Sequence, residues 1–97
     1  MIEIFWLTIA VDEFEDAIAW IRERNDNAAD KMAEAALFQI GQLKHYPQLG
    51  RVGRDNTTRE LVVSNTHFIV VYRVLPATKS LEILSFKHDA MRWPAEF

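Results

Sequence analysis

TTRELVVSNTHFIVVYRVLPATKSLEILSFKH, Thr57 to His88, is the stretch whose reading decides the fold. It holds three short runs rich in β-branched, aliphatic and aromatic residues. The runs are parted by Ser64, Asn65 and Thr66, and then by Pro76, Ala77, Thr78 and Lys79, residues that turn a chain easily. This pattern predicts a three-stranded antiparallel meander. Because a strand sends successive side chains to opposite faces, parity sorts the polar ones. Arg59 goes with Leu61 and Val63, and Arg73 with Ile69 and Val71. Lys87 goes with Ile83 and Ser85, and His88 with Leu84 and Phe86. Cationic and titratable groups are thus expected at strand ends on an otherwise apolar sheet.

Upstream of the meander, Ile2 to Leu7 (IEIFWL) is apolar except for Glu3 and reads as a first strand, buried on both faces and central in the sheet. From Ala10 to Arg24 the period changes. Ala10, Phe14, Ala17, Ile18 and Ile21 recur at helical spacing, with Asp12, Glu13, Glu15 and Asp16 on the other side. Those four acids read as a solvated face matched to the dipole of the helix N-terminus, in preference to an acid/base pair. Asp26 or Asn27 can cap a second helix that runs to about His45, with Ala29, Met32, Ala33, Ala36, Ile40 and Leu43 inward, and Pro47 stops it. Tyr46 to Asn56 (YPQLGRVGRDN) is a loop. Its glycines fit neither a phosphate-binding loop nor a dinucleotide fingerprint, although Arg51 and Arg54 can reach an anion. Asp89 to Phe97 reads as a short turn and tail in which Trp93 and Pro94 cover a core edge.

The order is therefore strand, two-helix antiparallel hairpin, three strands: an α+β fold in which a four-stranded sheet carries the helices on one face and leaves the other partly open. The 97 residues suit a single domain, 1–97, and an apolar fraction of 49% with 26% charged residues is that of a globular protein. No apolar run approaches the ~20 residues that span a bilayer, and the start (MIEIFW) has no signal-peptide character, so a cytoplasmic protein without membrane contact is expected. There is no cysteine, and the scattered His45, His67 and His88 form no metal constellation, so neither metal nor other cofactor is expected. A net charge of −3 argues against coating nucleic acid by bulk electrostatics. The acids crowd the first third of the chain, however, and leave the second half locally basic.

Several short phrases together resemble the RelE/ParE superfamily of bacterial type II toxins: WLTxA at Trp6 to Ala10, the paired Ala28 and Ala29, YPxxGR at Tyr46 to Arg51, TREL at Thr58 to Leu61, VVYRV at Val70 to Val74, ILSFKH at Ile83 to His88 and RWP at Arg92 to Pro94. They follow the family's order and spacing over nearly the whole chain. The resemblance implies a toxin neutralised by a cognate antitoxin that wraps it, with operator DNA bound only through the complex. Two activities occur in the superfamily. One is inhibition of DNA gyrase by protein contact, and the TREL, VVYRV and RWP phrases look more like those ParE-like members. The other is metal-free, ribosome-dependent cleavage of mRNA. In that case the resemblance would make Arg59 the stabiliser of the phosphorane charge, His88 the acid or base and Lys87 an electrostatic aid. His88 also has a plain reading as a hydrogen-bonded group at a strand end. Arg51, Arg54, Arg59, Arg73, Lys87, Arg92 and Trp93 are the expected contacts for target or antitoxin. A third reading is a member that has lost toxicity and remains an antitoxin-binding, autoregulatory module.

Overall fold

A computed structural model describes residues 1–89. The chain enters as strand β1 (Glu3–Trp6), turns into helices α1 (Thr8–Arg22) and α2 (Asp26–Gln42), and passes through the two-residue strand β2 (Arg51–Val52). The meander follows as β3 (Arg59–Val62), β4 (Phe68–Leu75) and β5 (Ser80–His88). The sheet has five strands in the order β1-β5-β4-β3-β2, with β1 parallel to β5 and every other pair antiparallel. The additional strand is β2, a loop segment that pairs Arg51 with Glu60 and Val52 with Arg59.

The two longest strands hold the centre, because consecutive antiparallel strands close with the shortest loops. Strand β1 therefore lies at an edge and not in the middle, as its apolar run suggested. Only Ile4 and Trp6 turn toward the core, while Glu3 and Phe5 are exposed. Asn65, at φ 62°, makes the first turn of the meander, and Lys79, at φ 50°, leaves the short 3₁₀ turn Pro76–Thr78. Asparagine tolerates this left-handed region through its short polar side chain.

Both helices cover one face. The core between the layers contains Phe14, Met32, Ala36, Leu43, Tyr72, Leu81 and Ile83 among others. Ala10, Ala29 and Ala36 are fully buried, and their small side chains let the helices approach closely. Asn25, one residue earlier than expected, caps α2: its side chain accepts from the Ala28 amide. Helix α1 has already ended by then, with Arg24 and Asn25 amides both donating to the Ile21 carbonyl.

A β-bulge between β4 and β5 corrects the parity reading. Tyr72 pairs with Ile83 but Val71 pairs with Ser85, so Leu84 is the extra residue. Beyond the bulge the faces exchange. Phe86 and Phe68, the latter opposite His88, join the core under the helices, whereas Leu84 joins Ile69 and Val71 in a second buried cluster on the far face. That face, expected to be partly open, thus buries these three side chains, and Arg73 and Glu82 lie opposite one another beside them, 3.9 Å apart.

Two helix side chains complete the sheet where strands end early. Past β2, the Gln39 amide donates to the Val62 carbonyl at 3.1 Å and accepts from the Ser64 amide at 2.7 Å, as one residue of a neighbouring strand would. Past β1, whose last tie is the Leu7 amide on the Ile83 carbonyl, Glu13 accepts from the Phe86 amide at 3.2 Å and the Ser85 hydroxyl at 2.6 Å. Its other oxygen takes the Lys87 ammonium. Glu13 is accordingly not part of a solvated face. Nor do the acids of α1 lie at the dipole: the helix starts at Thr8, and its first turn holds none.

Candidate functional site

The β3–β4 hairpin gathers different chemistry at its two ends. At the open end, Tyr72 is the hub. A tyrosine in the middle of the apolar strand FIVVYRVL must find partners for its hydroxyl. Fully buried, the Tyr72 hydroxyl donates to the Pro47 carbonyl at 2.8 Å and accepts from the Gly50 amide at 2.8 Å, drawing the loop after α2 onto the sheet. Burial pushes its pKa up from 10.0, against the opposing pull of the Gly50 amide and the Arg59 charge. Gly50 has no room for a side chain: a Cβ there would lie 2.8 Å from the Tyr72 ring and 2.9 Å from the Glu60 carbonyl.

Arg59 stands opposite Tyr72 and donates to the Gly50 carbonyl at 2.7 Å. Glu60, with a side chain only 3% exposed, takes Arg51 at 3.1 Å and the Arg54 amide at 2.9 Å, with the Arg54 guanidinium 3.8 Å away. Arg51, Arg54 and Arg59 are thus brought together, and each is engaged with this loop or with the strand that it docks on. Arg73 lies on the face opposite Arg59, against Glu82.

The turn end differs. Lys87 faces Ile69 across the ladder, on the side away from the helices, with its ammonium on Glu13. His88 faces Phe68 on the helix side, and its ring meets the Phe68 ring edge-on at 5.2 Å. The Asp89 carboxylate lies between two imidazoles, 3.0 Å from His67 Nδ1 and 3.5 Å from His88 Nδ1. Arg59 and His88, both on the helix side, are matched to Tyr72 and Phe68, about 13 Å apart along the strand. The Arg59, Lys87 and His88 set therefore divides between two places and two faces. Arg92 and Trp93 lie outside the described residues.

Two grooves open beside the turn end. The larger, about 590 Å³, runs between α1 and the sheet and is lined by Glu13, Asp16, Ala17 and Trp20 of the helix and Phe68, Phe86 and His88 of the strands. The smaller, about 370 Å³, lies between Ile21, Lys31 and Met32 of the helices and Ser64 to Thr66 of the turn, and Phe68 lines it too. Trp20 is 55% exposed, and the Arg24 guanidinium stacks 3.8 Å from its ring centroid while donating to the Trp20 carbonyl at 2.7 Å. Sequence reading missed the roles of Tyr72, Glu13 and Glu60, and of the groove residues it singled out only His88. Of the missed roles only that of Tyr72 carried a local signal, a hydroxyl in an apolar run.

Among the described residues no group of three histidines or acids is placed to hold a metal ion, and no helix is long and apolar enough to cross a membrane.

Residues 4–93 match the sequence profile of the family described as ParE toxin of type II toxin-antitoxin system, parDE. Y4kP of Sinorhizobium fredii (strain NBRC 101917 / NGR234), a protein provisionally named a toxin, is 31% identical over 91 residues, covering 94% of this chain and 92% of its own. A solved structure of a chromosomal ParDE TA system from P. aeruginosa superposes with a TM-score of 0.79 at 19% identity, covering 91% of this chain and 96% of the other, and so shares the fold.

Proposed function

This chain belongs to the ParE toxin family of type II toxin-antitoxin systems, and from that premise we propose that it is held inactive by a cognate antitoxin and, once released, inhibits DNA gyrase by protein contact. The observation that carries the choice of target is the separation of Arg59 from Lys87 and His88. Cleaving a phosphodiester needs a charge stabiliser and an acid or base converging on one reacting group at about 3 Å. Here Arg59 is bound to the Gly50 carbonyl, and Lys87 sits across the sheet on Glu13. The net charge of −3 also suits a protein target better than ribosomal RNA.

Induced expression of the chain without its antitoxin is the test. The expected result is arrest of replication with gyrase-linked DNA breaks, inhibition of supercoiling by purified gyrase, and the same arrest with His88→Gln. Cut mRNA on stalled ribosomes, with cutting lost in His88→Gln, would instead establish the endoribonuclease reading. In that reading the groove-lining imidazole of His88 is the acid or base. Harmless overexpression would establish the non-toxic, antitoxin-binding reading.

A further inference from the structure

Ile69, Val71 and Leu84 are only 3%, 0% and 5% exposed, on the face of the sheet that neither helix covers. Their neighbours in the ladder do not account for this. Strand side chains stand roughly perpendicular to the sheet, so Val62 and Lys87, level with Ile69, and Glu60, level with Val71, shield the flanks of the cluster and leave its tips open. The long side chains nearby are held by Glu13, Glu82 and Glu60. A covering layer is required, and the strands on either side give its width. Val62 of β3, directly across from Ile69, is 43% exposed, and Phe5 of β1, directly across from Glu82, is 51% exposed. The cover therefore lies over β4 and β5 and stops short of Val62 and Phe5, a strip about 10 Å wide at the strand spacing of about 4.8 Å. That is the width of a single peptide segment.

We propose that residues 90–97 (AMRWPAEF) are this cover, an extended strap that doubles back from the end of β5 and lays Trp93 over Val71 and Leu84. The starting point suits it. The Asp89 amide still donates to the His67 carbonyl at 2.8 Å, so the chain leaves from the turn end of β4 and β5, at one end of the strip. The reach suits it as well: from Ile69 to Arg73 is about 13 Å along the strand, and eight extended residues span roughly 26 Å, which leaves enough for the reversal. The composition has the period of an extended segment with one buried face. Met91, Trp93, Ala95 and Phe97 fall on one side, and Arg92 and Glu96 on the other. Pro94 has no amide hydrogen to leave unpaired where no strand lies alongside. Trp93 then faces inward, in place of the partner contact expected of it, and the far face is closed to antitoxin and target alike, whatever the target.

The chain contains no cysteine, so a single introduced thiol reports on one position. Under native conditions Val71→Cys should react with a water-soluble maleimide at least about tenfold more slowly than Val62→Cys on the same face. Adding Trp93→Ser to Val71→Cys should raise the rate about tenfold or more, whereas adding Arg92→Ser, on the other side of the strap, should leave it within about twofold. Equal rates for Val71→Cys with and without Trp93→Ser would overturn the proposal. Protection of Val71→Cys that disappears on dilution would overturn it too, by assigning the cover to a second copy of the chain. Should Trp93→Ser fail to fold, Trp6→Phe/Trp20→Phe leaves Trp93 as the sole indole in an intact strap. Its fluorescence should resist acrylamide quenching in the folded protein and lose that resistance in denaturant, and equal quenching in the two states would again overturn the proposal.

Discussion

The open end and the turn end of the β3–β4 hairpin are both rich in polar groups, yet they use them in opposite ways. At the open end Arg51, Arg54, Arg59 and Tyr72 are bound to Glu60 and to loop carbonyls. At the turn end Asp16 and Lys31 lie beside exposed aromatic surface without a described partner. Charges bound within the fold hold a loop in place, and charges left at the mouth of an apolar groove are available to a partner. Arginine in a glycine-containing loop looks like a ligand site in sequence, and here Arg51, Arg54 and Arg59 also tie that loop to the sheet.

That contrast can be broken most sharply at Gly50. Gly50→Ala places a Cβ against the Tyr72 ring and the Glu60 carbonyl, and the strand backbone cannot yield as a flexible side chain would. The expected loss is roughly 3 kcal/mol, the upper end for overpacking, read as a lower denaturant midpoint. Tyr72→Phe leaves the Gly50 amide and the Pro47 carbonyl without their partner and should cost about 2 kcal/mol. The same variant tests the raised pKa. Because the folded protein favours the neutral phenol, Tyr72 contributes stability that is complete below the ordinary tyrosine range and is lost as pH rises through the raised value. Thermal unfolding across the alkaline range should therefore fall more steeply for the parent than for Tyr72→Phe, and equal slopes would contradict the hub assignment.

Glu13→Gln keeps an acceptor for the Phe86 amide but leaves the Lys87 ammonium, 14% exposed, without a counter-charge. A loss of about 1–2 kcal/mol is expected in chemical denaturation. Asp16→Lys and Lys31→Glu should shift stability by no more than about 0.5 kcal/mol, since nothing described depends on either side chain. If either change unfolds the protein, the turn end is architecture as well and the contrast disappears.

Most of the layout could be read from the chain, because it rests on local periodicity. The meander, the helical hairpin and the inward alanines all follow from spacing. What escaped depends on pairings distant in sequence. β1 reads as central because its residues are apolar, but position in a sheet is decided by neighbours, and β5 takes β4 and β1 while β1 takes only β5. One bulged residue, Leu84, reversed the faces of Ser85 and Lys87 relative to Ile83, and no local signal marks it. Glu13 has the same neighbours in sequence as Asp12, Glu15 and Asp16, yet it alone of the four reaches a strand 72 residues on. Glu60 takes Arg51 and Arg54 and not its chain neighbour Arg59, because alternation turns Glu60 and Arg59 to opposite faces.

The side chains of Gln39 and Glu13 have a bearing on the lonely life of a toxin that has shed its antitoxin. Half-covered strands invite identical molecules to zip together, and a killer protein that clumps would disarm itself. By covering both gaps with groups from its own helices, the fold removes those stretches of β3 and β5 as templates for pairing with an identical chain.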